Sequence, residues 1–477
     1  MISLIPLVVL IPLGSAALAL ALPGRRRAQQ LITVVALVCV VALSGAFMWI
    51  VDQQGALVMQ VGGWAAPFGI SLVVDRLSAL MLTVSAVVLL GVLLFSLGQG
   101  LADGDDETPV SIYYPTYLVL GAGVCNAFIA GDLFNLYVTL ELVGLAAVGL
   151  VAAGGGTQQV AAALRYLFAT LLGSGAYLLG VALLYGAYGT VSSATLLPLV
   201  TAEAPRLVRI AAGLMVTGLL LKTALFPFHF WLPPAHGGAP APVSALLSAL
   251  VVKASFYLIL RLWLGPLQAL LPSFAWLLAL LGAAAIFWGS WQAIRAVKVK
   301  RLIAYSTVAQ LGYLFLIFPL LPAPGALQAG VMQVFAHGLA KAGMFAAAGV
   351  MIKATGQDTV AGLAGAVERL PVTFFAFGLA GMTLMGLPPS SGFLAKWQII
   401  DAALAQGHWV IAVVALAGGL LAAVYVFRVL RQAFLQAPAP DTATAVPRTL
   451  EWTAFALAAA SVLLGLRGVE LMQLVTM

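Results

Sequence analysis

The feature that constrains this chain most is a succession of apolar segments, each about 20 residues long, separated by short polar connections. A helix of that length crosses the ~30 Å hydrocarbon layer of a bilayer. Only 8% of the 477 residues are charged, whereas a soluble protein carries about 25%, and the mean hydropathy is +1.10. The pattern therefore predicts an all-α polytopic membrane protein.

We predict about fourteen spans in a single transmembrane domain over residues 1–477. The run 371–406 is too long for one straight span, and GLPPSSG interrupts it, so we treat it as one broken helix; counting it twice would give fifteen spans. The first run lacks a preceding basic segment and is followed by arginines, the reverse of a signal peptide, so we expect it to remain as span 1. The predicted spans are 2–22, 30–51, 71–98, 112–130, 133–153, 160–189, 207–227, 243–264, 273–295, 301–320, 325–352, 371–406, 409–434 and 449–472.

Lysine and arginine residues are distributed unevenly between the loops. Clusters at 25–27 and 295–301 follow odd-numbered spans, and few basic residues follow even-numbered ones. Because basic loops stay in the cytoplasm, this predicts both termini outside, in a bacterial-type inner (plasma) membrane. Basic residues at span ends also account for the net charge of +7 without a nucleic-acid partner.

Charged residues inside the spans indicate where the chemistry lies, because a charge at the bilayer centre costs ~3 kcal/mol or more. Asp132 is placed to cap span 5, and Glu141 lies about 13 Å deeper at 1.5 Å per residue. Lys222 precedes a proline-rich stretch, 227–242, that should break span 7, and Lys253 lies about 15 Å into span 8. A buried lysine readily loses its proton, so these groups can exchange protons near neutral pH.

The second half of the chain repeats these elements. His337 and Lys341 stand at i, i+4 in span 11 and share a face, and Lys396 follows GLPPSSG in span 12. The broken spans 7 and 12 lie five spans apart, as expected if spans 4–8 and 9–13 form two inverted five-helix repeats. The predicted boundaries are 1–110 for three N-terminal spans, 111–264 and 273–434 for the repeats, and 449–472 for the C-terminal span.

Five polar residues are accessory candidates. Ser306, Gln310 and Tyr313 fall at i, i+4, i+7 and form a polar stripe on span 10, which suits either helix packing or function. His229 and His236 flank the first break and either take part in the chemistry or are satisfied by the backbone. The sequence contains no dinucleotide fingerprint, phosphate loop or CxxC cluster, so we expect no bound cofactor or metal.

Five motifs resemble the antiporter-like subunits shared by respiratory complex I, membrane-bound hydrogenases and multisubunit cation/proton antiporters. The motifs are GDLFNLYVTLELVGL, KTALFPFHFWLPPAHGGAPAPVSALL, RLIAYSTVAQLGY, FAHGLAKAGMF and GLPPSSGFLAKW, and they extend over spans 4 to 12. The glutamate after GDLFNLYV and the lysine in span 12 most resemble the D subunits of Mrp-type Na+/H+ antiporters.

The resemblance implies a proton path along the membrane midplane, fed by half-channels at the two broken spans. Its members would be Glu141 paired with Lys222, Lys253, His337 with Lys341, and the terminal Lys396. It also implies other membrane subunits as partners and protons as the transported ion, and it leaves open whether Na+ passes through this subunit.

Two alternatives remain at this point. One is a proton-pumping membrane subunit of a redox-driven complex or an energy-converting hydrogenase. The other is a membrane subunit that only holds its partners together. Buried charges argue against the second alternative, because apolar side chains at those positions would often be at least as stable.

Overall fold

A computed structural model describes residues 2–99, 110–436 and 445–476, and these ranges are almost entirely helical. Within them, thirteen helices are long and apolar enough to cross a membrane. The half-helices Pro371–Met385 and Ser391–Ala405 account for the broken span 12. The structure thus confirms an all-α polytopic membrane protein in which spans 7 and 12 are broken.

The helices follow the predicted order. Those of spans 1 to 7 are Leu7–Leu20, Arg26–Gln54, Arg76–Gln99, Val110–Ile129, Leu133–Ala152, Thr157–Tyr188 and Arg206–Thr223. Those of spans 8 to 14 are Ala241–Leu246 with Val252–Leu264, Ala275–Arg295, Val299–Phe315, Ala326–Thr355, Pro371–Met385 with Ser391–Ala405, Trp409–Ala433 and Arg448–Leu466. Shorter helices are Ser193–Leu199, Leu232–Gly238 and Gly468–Thr476. Single 3₁₀ turns occupy Ile2–Leu4, Val61–Gly63, Phe228–Trp231, Leu271–Phe274, Phe318–Leu320, Ala361–Leu363 and Ala366–Glu368.

Span 3 begins later than predicted, because the residues before it form a strand. The strands Leu57–Gln60 and Ser71–Val74 pair in an antiparallel ribbon, with Leu57 opposite Val74. The segment SLVV contains two adjacent β-branched residues, which favour a strand over a helix. The predicted span 71–98 is therefore a strand followed by the helix Arg76–Gln99.

The described residues cluster into two compact units. The first is drawn from Met1–Leu90, Ala102–Ala224 and Leu250–Ala275, and the second from Gly91–Leu101, Leu225–Ala249 and Trp276–Met477. The limits at Ala224 and Ala249 fall within spans 7 and 8, next to the lysines of those spans. The assignment of spans 4–8 and 9–13 to inverted repeats stays a prediction.

The first break comes immediately after Lys222. The helix Arg206–Thr223 is capped by Ala224. The φ of Ala224, 57°, is the only positive value at a non-glycine residue in the described chain. A left-handed alanine is energetically costly, so the surrounding packing must hold it in place. Lys222 therefore lies in the last turn of its helix, where the partial negative charge of the helix end favours a cation.

Span 8 is also interrupted, which the sequence did not predict. A π-helical segment, Leu247–Val251, separates Ala241–Leu246 from Val252–Leu264. Lys253 is the second residue after this segment. Such π segments are rare and occur frequently at functional sites, because they alter the backbone hydrogen bonding of the helix.

The second break lies at Gly386–Ser390, before Lys396. Gly386 has φ +82°, which favours glycine, and a Cβ there would lie 2.7 Å from the Cδ atom of Lys396. Ser390 caps the next half-helix by accepting a hydrogen bond from the Phe393 amide at 3.2 Å. The break therefore both ends one helix and leaves room for the lysine of the next.

Candidate functional site

Lys222 is held by neutral acceptors inside the first unit. Its ammonium donates to the Thr170 hydroxyl at 2.7 Å and to the Leu140 carbonyl at 3.0 Å, and the side chain is 6% exposed. Two glycines make room for it: a Cβ at Gly173 would lie 3.1 Å from the Lys222 Cγ, and one at Gly144 would lie 3.5 Å from its Nζ. The lysine is thus buried with two neutral oxygen acceptors.

Glu141 lies next to this site and forms no ion pair with Lys222 at hydrogen-bonding distance in the described chain. Its charge interacts with that of Lys222 over a longer distance. The Glu141 Oε1 atom is buried without a hydrogen-bond partner, which is costly for a carboxylate. Glu141 and Lys222 are therefore not in direct contact: the Lys222 ammonium bonds instead to the Leu140 carbonyl, one residue before Glu141.

A small cavity lies beside Lys222. It encloses about 10 Å³ and is lined by Thr139, Thr170 and Lys222, and on span 8 by Ala254 and Ser255. That volume is close to the minimum that holds one water molecule. The cavity therefore has polar groups to which a water molecule could bond, and it lies between the Lys222 side chain and the turn of span 8 that contains Lys253.

Lys253 is almost fully buried, at 1% exposure, in the first turn of Val252–Leu264. Tyr257 and Arg261 follow it at i+4 and i+8, so the three side chains share one face of the helix. The Tyr257 hydroxyl donates to the Phe128 carbonyl at 2.8 Å and accepts from the Arg261 Nε at 2.6 Å. A line of polar side chains therefore follows Lys253 toward the end of span 8.

Arg261 ends this line in a bidentate ion pair with Asp75, at 2.6 Å and 2.5 Å. Burial raises the pKa of Asp75, but the hydrogen bonds and charge of Arg261, together with hydrogen bonds from Ser78, outweigh it and hold the pKa below its ordinary value. The pair therefore remains ionised at neutral pH. Arg261 is not among the candidate residues predicted from the sequence; the spacing of Lys253, Tyr257 and Arg261 at i, i+4 and i+8 is the signal that indicates it.

The second unit holds a lysine with the same types of partner. The Lys341 ammonium donates to the Ile303 carbonyl at 2.9 Å and to the Ser306 hydroxyl. Like Lys222, this lysine therefore contacts one hydroxyl and one backbone carbonyl, and it is fully buried. Ser306 is the first residue of the polar stripe predicted on span 10.

The other two residues of that stripe contact the surroundings of Lys396. Gln310 donates to the Leu384 carbonyl at 3.0 Å, and the Lys396 ammonium donates to the same carbonyl. Lys396 also lies 4.4 Å from the centre of the Tyr313 ring, a cation–π contact. The stripe therefore reaches from the acceptor of Lys341 to the partners of Lys396.

The Leu384 carbonyl is available because of the sequence of the break. In a continuous helix it would accept from the residue four positions later, which is Pro388 and has no amide hydrogen. The amides of Gly386 and Leu387 both bond to the Met382 carbonyl, at 3.0 Å and 3.1 Å, and so do not use Leu384 either. The proline thus leaves a carbonyl oxygen for Gln310 and Lys396.

The three candidate histidines lie in the second unit in different settings. His337 is 1% exposed, on the same helix as Lys341. His236 is fully buried and stacks on Phe345, with ring centres 5.4 Å apart. His229 is half-buried and accepts a hydrogen bond from the Trp288 indole at 3.0 Å, which agrees with an anchoring role at the edge of the span.

Asp132 proves to be the predicted helix cap. Its carboxylate accepts a hydrogen bond from the Asn135 amide at 2.7 Å, at the first turn of Leu133–Ala152. The structure therefore groups Glu141, Lys222 and Lys253 in the first unit, and His229, His236, His337, Lys341 and Lys396 in the second. The roles of these residues in transport remain predictions.

Comparison with known proteins gives a consistent result. Residues 130–422, more than half of the chain, match the family described as NADH:quinone oxidoreductase/Mrp antiporter, TM. The chain is 38% identical over 387 residues to the N subunit of the NADH-quinone oxidoreductase of Desulforudis audaxviator, covering 79% of this chain and 75% of the relative. It is 32% identical over 389 residues to the D subunit of the Na(+)/H(+) antiporter of Alkalihalophilus pseudofirmus, covering 80% and 77%.

A solved structure is similar over the whole length. A chain of the Mrp complex from Dietzia sp. DQ12-45-1b superposes with a TM-score of 0.91 at 29% identity, covering 99% of this chain and 96% of that one. The similarity therefore includes the broken spans as well as the matched central region.

Removing the hydroxyl that holds Lys222 tests the site directly. Thr170→Val keeps the shape of the side chain but leaves the ammonium with one acceptor fewer, so proton uptake by vesicles should fall about tenfold, the equivalent of a hydrogen bond to a charged group. Thr170→Ser keeps the hydroxyl and should retain most of the uptake.

Thr223→Val is the matched control for this measurement. Thr223 is also buried and follows Lys222 directly in the sequence. Its hydroxyl, however, donates to the Leu219 carbonyl of its own helix at 2.7 Å. Uptake in this control should stay near the wild-type rate. Equal losses in Thr170→Val and Thr223→Val would contradict a specific role for the Lys222 contact.

Proposed function

Because the chain belongs to the membrane family shared by NADH:quinone oxidoreductases and Mrp antiporters, we propose that it is the proton-translocating subunit of a multisubunit cation (Na+)/proton antiporter. Protons would move between buried groups, with Glu141, Lys222 and Lys253 at one set of positions and His337, Lys341 and Lys396 at another. The proposed role is that of a transporter, without redox chemistry of its own.

One observation supports this proposal above the others: two of the buried lysines donate to neutral hydroxyl and carbonyl oxygens. Lys222 and Lys341 each donate to one hydroxyl and one carbonyl. A carboxylate at contact distance would fix the positive charge, whereas a carbonyl accepts a hydrogen bond from an ammonium and from a neutral amine alike. Each lysine can therefore lose a proton while it keeps its hydrogen bonds, as a relay requires.

The proposed coupling between sites is electrostatic. In an interior of low dielectric constant, charges several ångströms apart interact strongly, so a proton gained at one site disfavours a proton at the next. Glu141 fits this role because its charge interacts with Lys222 without closing an ion pair on it. A change in the protonation of Glu141 would change how firmly Lys222 holds its proton.

The second candidate function is a proton-pumping membrane subunit of a redox-driven complex. The observation that favours it is the 38% identity to the N subunit of an NADH-quinone oxidoreductase. Purification of the native complex separates the two candidates. Iron–sulfur or flavin absorbance in the complex would support the redox-driven role, and membrane subunits without such groups would support the antiporter.

Substitution of Glu141 tests the proposed function. Glu141→Ala should abolish cation/proton exchange in vesicles while the protein remains in the membrane, because Lys222 loses the charge that tunes it. Glu141→Asp should retain part of the activity, since the charge survives on a side chain one methylene shorter. Wild-type exchange in Glu141→Ala would contradict the proposal.

We also propose that both termini lie outside the cell membrane, from the uneven distribution of basic residues. In a chain with Cys39 and Cys125 replaced by serine, single cysteines at Arg26 and Lys298 should be protected from an impermeant thiol reagent in intact cells. Cysteines added at either end should react. Labelling at Arg26 with protected ends would show the opposite orientation.

A further inference from the structure

We infer that a basic cavity at the junction of spans 9 and 10 binds the phosphate group of an anionic lipid. The cavity encloses about 300 Å³, which is within the range of small-ligand sites. Its polar lining consists of Gln292, Arg295, Lys298, Arg301, Tyr305 and Thr359. None of these residues belongs to the proposed relay, so the inference does not rest on the transport function.

The backbone fixes the shape of this cavity. Lys298 and Thr359 form an isolated antiparallel bridge. The Val299 amide donates to the Asp358 carbonyl, and the Val360 amide donates to the Val297 carbonyl, both at 2.9 Å. The loop after span 9 is thus tied to the loop after span 11, and the lining residues of both loops are held at one place.

Of the basic groups that line the cavity, only Lys298 has a carboxylate partner in the described chain. Asp358, the carboxylate next to the cavity, is occupied by Lys298 at 2.6 Å. Arg295 and Arg301 form no ion pair in the described chain; each guanidinium instead lies over an aromatic ring, Trp291 at 5.6 Å and Tyr305 at 5.9 Å. Two oriented guanidinium groups beside one cavity suit the bidentate recognition of a phosphate.

The C-terminal carbonyls of span 9 are compatible with an anion in the cavity, because an arginine binds them. The last carbonyls of a helix carry partial negative charge, which would repel phosphate. In this structure Arg428 donates to the Ile294 carbonyl at 2.5 Å and to the Ala296 carbonyl at 2.8 Å. A third arginine therefore neutralises the helix end, and the cavity keeps its positive potential.

The rim of the cavity favours a lipid over a soluble phosphate. Trp291 is 55% exposed and Val297 is 63% exposed, and both flank the basic residues. Trp288, one turn further into span 9, is 43% exposed. Tryptophan is typical of the membrane interface, and apolar side chains next to a basic pocket at a span end can contact the acyl chains of the lipid whose headgroup is bound.

A lipid-retention experiment on the full-length chain tests this inference. The purified protein is incubated in neutral detergent with radiolabelled phosphatidylglycerol or with phosphatidylcholine of the same acyl chains, and the lipid that co-elutes with it is counted. Phosphatidylglycerol should be retained in excess. The variant with Arg295→Gln and Arg301→Gln should bind it roughly tenfold more weakly and leave phosphatidylcholine unaffected.

Two further variants separate charge, geometry and folding. Arg369→Gln removes another exposed arginine of the same unit and should bind like the wild type. Arg295→Lys keeps the charge but not the guanidinium plane, so it should bind with intermediate affinity. Both arginines of the cavity are exposed, and the elution volume of each variant reports whether it has folded.

An excess of inorganic phosphate distinguishes the two sources of the anion. If the headgroup and acyl chains act together, inorganic phosphate should not displace the labelled lipid. Ready displacement would overturn a lipid as the natural source and assign the cavity to soluble phosphate. Equal retention of the two lipids, or unchanged retention after the double substitution, would overturn the site itself.

Discussion

The cost of burying an ammonium group in a membrane is the constraint on which the rest of this structure depends. Each buried lysine for which contacts are described has a backbone carbonyl as an acceptor: Leu140 for Lys222, Ile303 for Lys341 and Leu384 for Lys396. Lys222 and Lys341 also donate to a hydroxyl, and Lys396 lies over an aromatic ring. These partners stabilise a positive charge and also tolerate its loss, whereas a direct carboxylate would stabilise only the charged form.

The interruptions of the helices follow from the same constraint. Lys222 lies in the last turn before one break, Lys253 comes just after a π segment, and Lys396 follows another break. Each interruption changes the backbone hydrogen bonding near a charge. At Lys396 the relation is direct, because Pro388 has no amide to offer Leu384, and the lysine uses the carbonyl that remains.

Local sequence signals predicted the spans, the two proline-containing breaks and the Asp132 cap, because apolar runs, prolines and cap residues act on their neighbours in the chain. The same signals failed for the π segment before Lys253, which contains neither proline nor glycine. They also failed for the Asp75–Arg261 pair, whose partners are 186 residues apart. The Lys222 contact with Thr170 depends on helix packing at Gly144 and Gly173, which a sequence pattern alone does not specify.

The claim that the buried lysines exchange protons is tested most directly at Lys396, by measuring proton flux in vesicles that contain the native complex with Lys396→Arg. Arginine keeps a positive charge over the Tyr313 ring and can still donate to Leu384, but it stays protonated at any workable pH. The account predicts an assembled complex that has lost proton flux. Substantial flux in this variant would show that Lys396 supplies only a fixed charge, and would contradict the proposed relay.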